Sequence, residues 1–303
     1  MIKKKSEKVL NLSPFQFDEH FFIPSWRPTV YGFYSRFHIE RVERYKTHLS
    51  LPLAPHRRSV YVFFYLKTGL AIRTKGLSRY EIKAGQFFFL PSQQITSVEC
   101  ISEDATGFYC HFQPEIFLKH PLKVEIDKEF PFFQLRTEPV VTVNEFERIE
   151  QLMDILEQEY CLSLPERFDL VPLYLTALLS EVKHLTLTSE QANQSASSNI
   201  TQRYKNALSE FIYKKKTVAE FAEYLAISPN HLHKCVKATT GKTAHDLLNE
   251  MRILEAKVLL KQTNLSVGEI AFKIGQLESS DFSRLFKKST TYTPNQYRRI
   301  SMD

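Results

Sequence analysis

Cysteine, tryptophan and long apolar runs are the scarce features of this 303-residue chain. The four cysteines, Cys100, Cys110, Cys161 and Cys235, lie far apart and form no C-x-x-C pair. That spacing argues against a zinc ribbon or a dithiol redox motif and fits a reducing cytoplasm. The longest unbroken apolar run, Val60 to Leu66, is far too short to cross a bilayer, so no membrane partner is expected. Lys3, Lys4 and Lys5 are followed by no apolar stretch, so no signal peptide is expected either. With one Trp against 24 Phe and 14 Tyr, any large aromatic core must be built from Phe and Tyr. Glycine is sparse after residue 199, where only Gly241, Gly268 and Gly275 occur, and this suits a helical tail. The length suits two domains.

The charge that is present is unevenly placed. From residue 200 onward there are 17 Lys/Arg against 10 Asp/Glu, while the whole chain has 40 against 34. The basic surplus therefore lies in the last third. A basic surface is often merely solvated, but here it coincides with a repeat. Thr217-Val218-Ala219-Glu220-Phe221-Ala222 and Ser266-Val267-Gly268-Glu269-Ile270-Ala271 share Ser/Thr, two residues, Glu, apolar, Ala. Ser/Thr followed three residues later by Glu is a capping box, so each opens a helix. Leu225 matches Ile274 at an offset of 49. Leu232, Lys234, Val236 and Lys237 match Phe282, Arg284, Phe286 and Lys287 at an offset of 50.

A capped helix, a turn and a second helix bearing cations is the layout of a helix-turn-helix. In the first copy Ser228 and Pro229 can open the second helix, with Leu232 and Val236 inward and Asn230, His233, Lys234 and Lys237 outward. In the second copy Phe282, Leu285 and Phe286 point inward, leaving Ser279, Ser280, Ser283, Arg284 and Lys287 as outer candidates. Arginine bonds to guanine edges, Asn to adenine and Ser to several bases, and lysines near a helix end contact phosphate. Asp281 suits the start of its helix, where the dipole favours a carboxylate, or a cytosine contact. Residues 244–262 read as an amphipathic helix through Leu247, Leu248, Met251, Leu254, Val258 and Leu259. At ~1.5 Å per residue it is a rod of roughly 28 Å, short of the ~34 Å repeat of the major groove, so two reading helices in successive grooves would call for some DNA bending or leave one weakly engaged.

Residues 1–140 read as mostly strand, in short aromatic runs such as Val60–Leu66, Gln86–Leu90 and Gly107–Phe112. Turns are expected at Gly69 and Gly85, and several such strands suggest a barrel or jelly roll. Two amphipathic helices follow, over 144–160 and 168–187. The second is apolar enough to need cover, either from the barrel or from a dimer partner. Residues 189–199 are small and polar and read as a linker. The resulting division is a sensor or dimerisation domain at 1–188, a linker at 189–199 and a DNA-binding domain at 200–303. A lumen lined by Phe and Tyr is a plausible small-molecule pocket, and Arg36, His38, His56, Arg58 and Tyr61 are its candidate polar residues. The histidines are scattered singletons, so no bound metal is expected.

Residues 200–300 resemble the DNA-binding domain of AraC/XylS transcription regulators. The resemblance rests on Ala222, Leu225, Ser228, Leu232, Lys237, Gly241, Arg252, Ala256, Leu259-Leu260, Ile270-Ala271, Gly275, Phe282 through Lys288, Thr293-Pro294 and Tyr297-Arg298. The chain departs from the family pattern at Gln276, Asp281 and Thr291. More loosely, Pro55–Arg58, Gly69, Gly85–Pro91 and Phe130–Phe133 look like the cupin-type sensor domain of such regulators. The resemblance implies an α+β protein: a cupin-like barrel or jelly roll with following helices, then an all-α domain with two helix-turn-helix motifs. It implies a sequence-specific regulator, not an enzyme, with double-stranded DNA as partner and no cofactor. RNA polymerase, a small-molecule effector and a second copy of the chain are its further implied partners. The rival readings are a metal-dependent cupin enzyme and a regulator whose first domain serves only dimerisation or protein contacts.

Overall fold

The computed structural model describes residues 11–117, 124–143, 146–162, 164, 167–187, 195–275 and 277–300. They group into two compact units, one holding most of residues 13–193, the other the helices that follow together with residues 55–57.

The first unit is a two-sheet sandwich. Its strands are β1 (Phe37–Arg41), β2 (Leu53–His56), β3 (Tyr61–Thr68), β4 (Leu70–Lys75), β5 (Ser78–Lys83), β6 (Gln86–Leu90), β7 (Thr96–Ile101), β8 (Thr106–Phe112) and β9 (Val140–Thr142). One sheet runs β1-β8-β3-β6-β9 and the other β2-β7-β4-β5. The jelly-roll expectation is met by these two sheets, which do not close into a barrel. The unit also carries helices α1 (Pro14–Phe21), α2 (Val42–Tyr45), α3 (Ile126–Glu129), α4 (Phe146–Cys161) and α5 (Val171–Leu187).

Side chains alternate across a strand, and in the five-stranded sheet this sorts the aromatic runs. Tyr61, Phe63, Tyr65, Phe87, Phe89, Phe108, Cys110 and Phe112 join one cluster with Ile149, Met153 and Leu156 of α4 and Leu175, Leu178 and Val182 of α5. The helices therefore cover the outer face of the sheet, and α5 buries most of its apolar side there. Leu173 stays 40% exposed. The aromatic residues expected to line a lumen mostly lie under helices instead. The intervening residues point to the opposite sheet: the Arg73 guanidinium of β4 sits over the rings of Phe64 and Phe88.

Gly107 explains how β8 fits against β3. Its φ is +144°, and a Cβ there would lie 2.1 Å from the Tyr65 carbonyl oxygen. The register of the two strands shifts close by, between Leu66 and Thr68, as at a bulge.

The second unit holds α6 (Ala196–Phe211), α7 (Val218–Tyr224), α8 (Pro229–Thr240), α9 (Ala244–Gln262), α10 (Val267–Gly275), α11 (Ser279–Thr290) and α12 (Pro294–Arg299). The expected linker is shortened by this geometry. Ser195 caps α6, so residues 196–199 are its first turn, while 189–194 lie outside the described residues. The repeat reaches further than the sequence comparison took it. Thr243 with Asp246 and Thr293 with Gln296 are capping boxes that open α9 and α12 at the same offset of 50.

The amphipathic reading of α9 also needs correction. Leu247, Leu248, Met251, Ile253, Ala256, Val258, Leu259 and Leu260 are all buried, and so are Arg252, Glu255 and Gln262, whereas Leu254 is only half-buried. The helix is enclosed because α8 packs on it from the first motif and α10, α11 and α12 from the second. A helix buried on several sides loses its single apolar stripe.

Gly107→Ala should destabilise the sandwich by about 3 kcal/mol or more, because the new Cβ meets backbone in a conformation L-residues avoid; chemical denaturation monitored by tyrosine fluorescence checks it. At the ends of α8 and α11, Gly241 has φ 72° and Thr291 has φ 68°, both left-handed. Glycine tolerates that conformation and threonine is strained in it. Thr291→Gly should therefore stabilise the second motif by about 0.5–1 kcal/mol, seen as slower amide exchange in α11.

Candidate nucleic-acid interface and buried polar interior

Local chemistry places the second helix of each motif. In the first motif the Thr217 hydroxyl accepts the Glu220 N–H at 3.2 Å and the Glu220 carboxylate accepts the Thr217 N–H at 2.9 Å. Ser266 and Glu269 repeat this at 3.2 and 2.9 Å. Ser228 accepts the His231 N–H at 3.2 Å and Pro229 follows as the first residue of α8. In α11 the capping position is Glu278, whose side chain makes no such bond. Ala222 and Ala271 are fully buried, as small residues at a helix crossing should be.

The inward residues Leu232 and Val236 of α8 and Phe282 and Phe286 of α11 are all 0% exposed. Leu285, expected inward, is only half-buried. On the outward side Asn230, Lys234 and Lys237 of α8 and Ser279, Ser280, Arg284 and Lys287 of α11 are exposed, and His233 and Ser283 are half-buried. The periodicity thus brings each motif's candidates to one outer face. Lys288, beside Lys287, is also exposed in the last turn of α11 and was not singled out from sequence. Its signal was present, since two adjacent cations near a helix end both suit a phosphate.

Asp281 stands in the first turn of α11 and pairs with the terminal nitrogen of Arg284, with 59% and 80% of the two side chains exposed. A pair so exposed contributes little stability, but it orients the one arginine among the candidate readers. Gln276 lies outside the described residues. The neighbouring Gly275 has a packing cause: a Cβ there would fall 2.8 Å from Nε of Arg252. Arg252 in turn donates to the Lys216 carbonyl at 2.6 Å and to Asn249 at 3.1 Å.

The structure sorts the candidate ligand residues of the sandwich unit differently. Arg36 is exposed, its guanidinium over Phe33 and Phe168. Tyr61 belongs to the helix-side cluster and donates to Asp127 at 3.0 Å. His56, buried in β2, groups with the helical unit. Only His38 and Arg58 enter the polar interior, and there they meet residues that the sequence did not mark. His38 Nε2 lies 3.3 Å from Glu40, and its Nδ1 is 3.0 Å from the Tyr160 hydroxyl. Arg58 bonds to the Tyr109 hydroxyl and to His111 Nδ1 at 3.3 Å. Asp18 accepts the Tyr34 hydroxyl at 2.7 Å on one oxygen, and its other oxygen is buried without a partner. Asp18 also lines a cleft of about 430 Å³ with Phe15, Phe22, Trp26, Arg27 and Tyr31. Among the described residues no three His, Cys, Asp or Glu side chains converge as metal ligands.

Burial governs the protonation of this interior. It pushes His38 and His111 down, so both imidazoles are held neutral. It lifts the Asp18 carboxyl to about 7, against the opposing Tyr34 hydrogen bond and the Arg58 charge. A carboxyl raised on folding favours the protonated native state, so its contribution falls as pH climbs from about 4 to about 7 and is constant above. The two histidines act in the other direction, costing stability only as pH drops below about 6.5. Asp18→Asn keeps an acceptor for Tyr34 and removes the ionisation. It should match the parent at pH 4 and exceed it by about 1–2 kcal/mol at pH 8. Thermal melts across that range check the divergence.

Two family models match this chain: a helix-turn-helix domain over residues 221–300 and an AraC-like ligand binding domain over residues 36–164. Together they take in more than half of it. The HTH-type transcriptional regulator YijO of Escherichia coli is 32% identical over 135 residues, 45% of this chain and 47% of that protein. The chain thus spans about half the length of that relative. The HTH-type transcriptional activator RhaR of an Enterobacter species is 23% identical over 227 residues, 73% of this chain and 78% of that protein. Among solved structures, the C-terminal domain of AraT, a response regulator from Geobacillus stearothermophilus, is 31% identical. It covers 36% of this chain and 88% of that one, with a TM-score of 0.32. With a paired helix-turn-helix unit and a sensor sandwich each matched by its own family model, the chain belongs to the AraC/XylS family.

Proposed function

We propose that the chain is a sequence-specific transcription regulator in which α8 and α11 read duplex DNA and the sandwich unit answers to a small molecule. The observation that carries the reading is the polarity of those two helices. The two helices bury Leu232 and Val236, or Phe282 and Phe286, and present Asn230, Lys234 and Lys237, or Ser279, Ser280, Arg284 and Lys287, to solvent. Guanidinium, amide and hydroxyl groups match base edges, and lysines match phosphate. Asn230, Lys234, Ser280 and Arg284 are assigned to bases, and Lys237, Lys287 and Lys288 to the backbone. His233, Ser279 and Ser283 flank them.

Residues 1–188 then serve as sensor and dimerisation domain and 200–303 as the DNA-binding domain. A ligand acts on such a protein only through its different affinities for the DNA-competent and incompetent states. RhaR is named a transcriptional activator. An activating role here brings RNA polymerase in as a further partner, and a homodimer would fix the spacing of half-sites. A regulator acting on chromosomal DNA would work in the cytoplasm. Among the described residues no helix is long and apolar enough to cross a membrane.

The test is selection of bound fragments from genomic DNA by the purified chain, followed by titration of variants on the selected site. Arg284→Ala or Lys234→Ala should lower affinity about 5- to 100-fold and relax preference at one base position. Lys237→Ala should weaken all sequences alike and reduce the salt slope by about one. Unchanged affinity in both Arg284→Ala and Lys234→Ala would overturn the assignment of reading helices.

A further inference from the structure

The cleft beside α1 has a chemistry of its own. Pro14, Phe17 and Phe21 form the buried side of that helix. Phe15, Asp18, Glu19 and Phe22 recur at three and four on another side, where they line the cleft of about 430 Å³. Residues 23–31 close it opposite the helix, with Trp26 and Tyr31 among them. Phe22 and Trp26 stack with ring centres 4.4 Å apart, and Phe15 lies 5.1 Å from Tyr31. The volume suits a small molecule. Every lining residue falls between 15 and 31, ahead of β1, whereas the match to the ligand binding family model starts at residue 36. The cleft is therefore not the space between the sheets, and none of Arg36, His38, His56, Arg58 and Tyr61 lines it.

The acid at this cleft is incompletely satisfied. One Asp18 oxygen accepts the Tyr34 hydroxyl at 2.7 Å, the other has no hydrogen-bond partner, and no cation pairs with the carboxylate among the described residues. The terminal torsion of aspartate is soft, so a small turn offers the second oxygen to the cleft while the first keeps Tyr34. Glu19, one residue on, is exposed. Arg27 also lines the cleft, but its guanidinium is committed to the carbonyls of Pro24 and Trp26, at 3.0 and 2.5 Å. Aromatic faces attract cations, and a charge-assisted bond to a carboxylate is stronger than one between neutral groups. A neutral guest would leave Asp18 unmatched, and an anionic one would meet two carboxyl groups.

We infer that this cleft binds a small organic ammonium ion, with Asp18 as its ion-pair partner, Glu19 at the mouth, and the rings of Phe15, Trp26 and Tyr31 against its apolar body. The site goes beyond the regulator reading and does not rest on it. Occupation should depend on pH. Burial lifts the Asp18 carboxyl to about 7. Below that value an arriving ammonium must displace a proton, so affinity falls about tenfold for each further pH unit. The charged and titratable groups around Asp18 are Tyr34, Arg58, Glu40 of β1, and Glu19 on α1 itself, which also carries His20.

The chain's single tryptophan, Trp26, lies in this cleft and reports on it directly. The experiment is a titration of the full chain, without DNA and at constant ionic strength, followed by Trp26 emission and by calorimetry. The probe is benzylammonium chloride, with benzyl alcohol, sodium benzoate and ammonium chloride as controls. Benzylammonium should bind saturably and about tenfold or more tighter than benzyl alcohol, and weaken about tenfold between pH 8 and pH 6. Asp18→Asn keeps an acceptor for Tyr34. It should bring benzylammonium to the level of benzyl alcohol and abolish the pH dependence, whereas Glu19→Gln should weaken binding less. Equal affinity for alcohol and ammonium, tighter binding of benzoate, or no saturable response by either readout would each overturn the proposal. So would undiminished affinity in Asp18→Asn, or a pH dependence that survives there and so belongs to His20. Failure here would leave the DNA titrations untouched.

Discussion

The period-two geometry of a β-strand is the constraint on which the sensor unit depends. Tyr61, Phe63 and Tyr65 go to one side of β3, and Val62, Phe64 and Leu66 go to the other. The first set, with its counterparts on β6 and β8, makes an apolar floor for α4 and α5. The second set shares the space between the sheets with His38, Glu40, Tyr109, His111 and Arg73. A slip of one residue in register would exchange the two environments, placing charges beneath the helices and phenylalanines among the arginines. Building the floor from so many aromatic rings supplies enough buried area to hold a polar interior beside it, each large side chain contributing about 1.5–3 kcal/mol.

In the helical unit the corresponding element is α9. It opens with the same capping box as α12, yet its surroundings are different. Both motifs lean on it, and its buried side chains run round the helix. The second motif's cluster draws Ile253, Ala256, Leu259 and Leu260 from α9 together with Ile270, Ala271, Ile274, Phe282 and Phe286. Duplication of a capped helix pair thus yields a rigid object only because one helix between the copies is apolar on more than one side.

Much of this architecture was legible in the sequence. Capping boxes, the duplicated spacing, the left-handed stop at Gly241 and the outward set on α8 and α11 depend on neighbours within a few residues, and local chemistry settles them. The interior of the sandwich was not legible. Arg73 sits in an unremarkable alternating strand, and only the pairing of two sheets brings it over Phe64 and Phe88 and near Arg58. Tyr61 and Arg36 are polar residues in a strand-rich region, but the side to which a residue turns follows from sheet register. Asp18 arrives from a helix at the start of the unit, remote in sequence from β3 and β8. The end of the linker is not legible either, because small polar residues serve equally well as a helix's first turn once Ser195 caps it.

The pairing of Asp281 with Arg284 gives the second motif a different character from the first. On α8 the lysines stand free of any carboxylate on their own helix, whereas the α11 arginine comes with an anion three residues away. A phosphate offers that arginine little that it does not already have. A guanine edge, which accepts two hydrogen bonds in one plane, offers more. In the proposed role, the lysines of the first motif would add attraction to any duplex beside the base contacts of Asn230 and Lys234, while Arg284 would lengthen the stay only where a guanine draws it from its carboxylate.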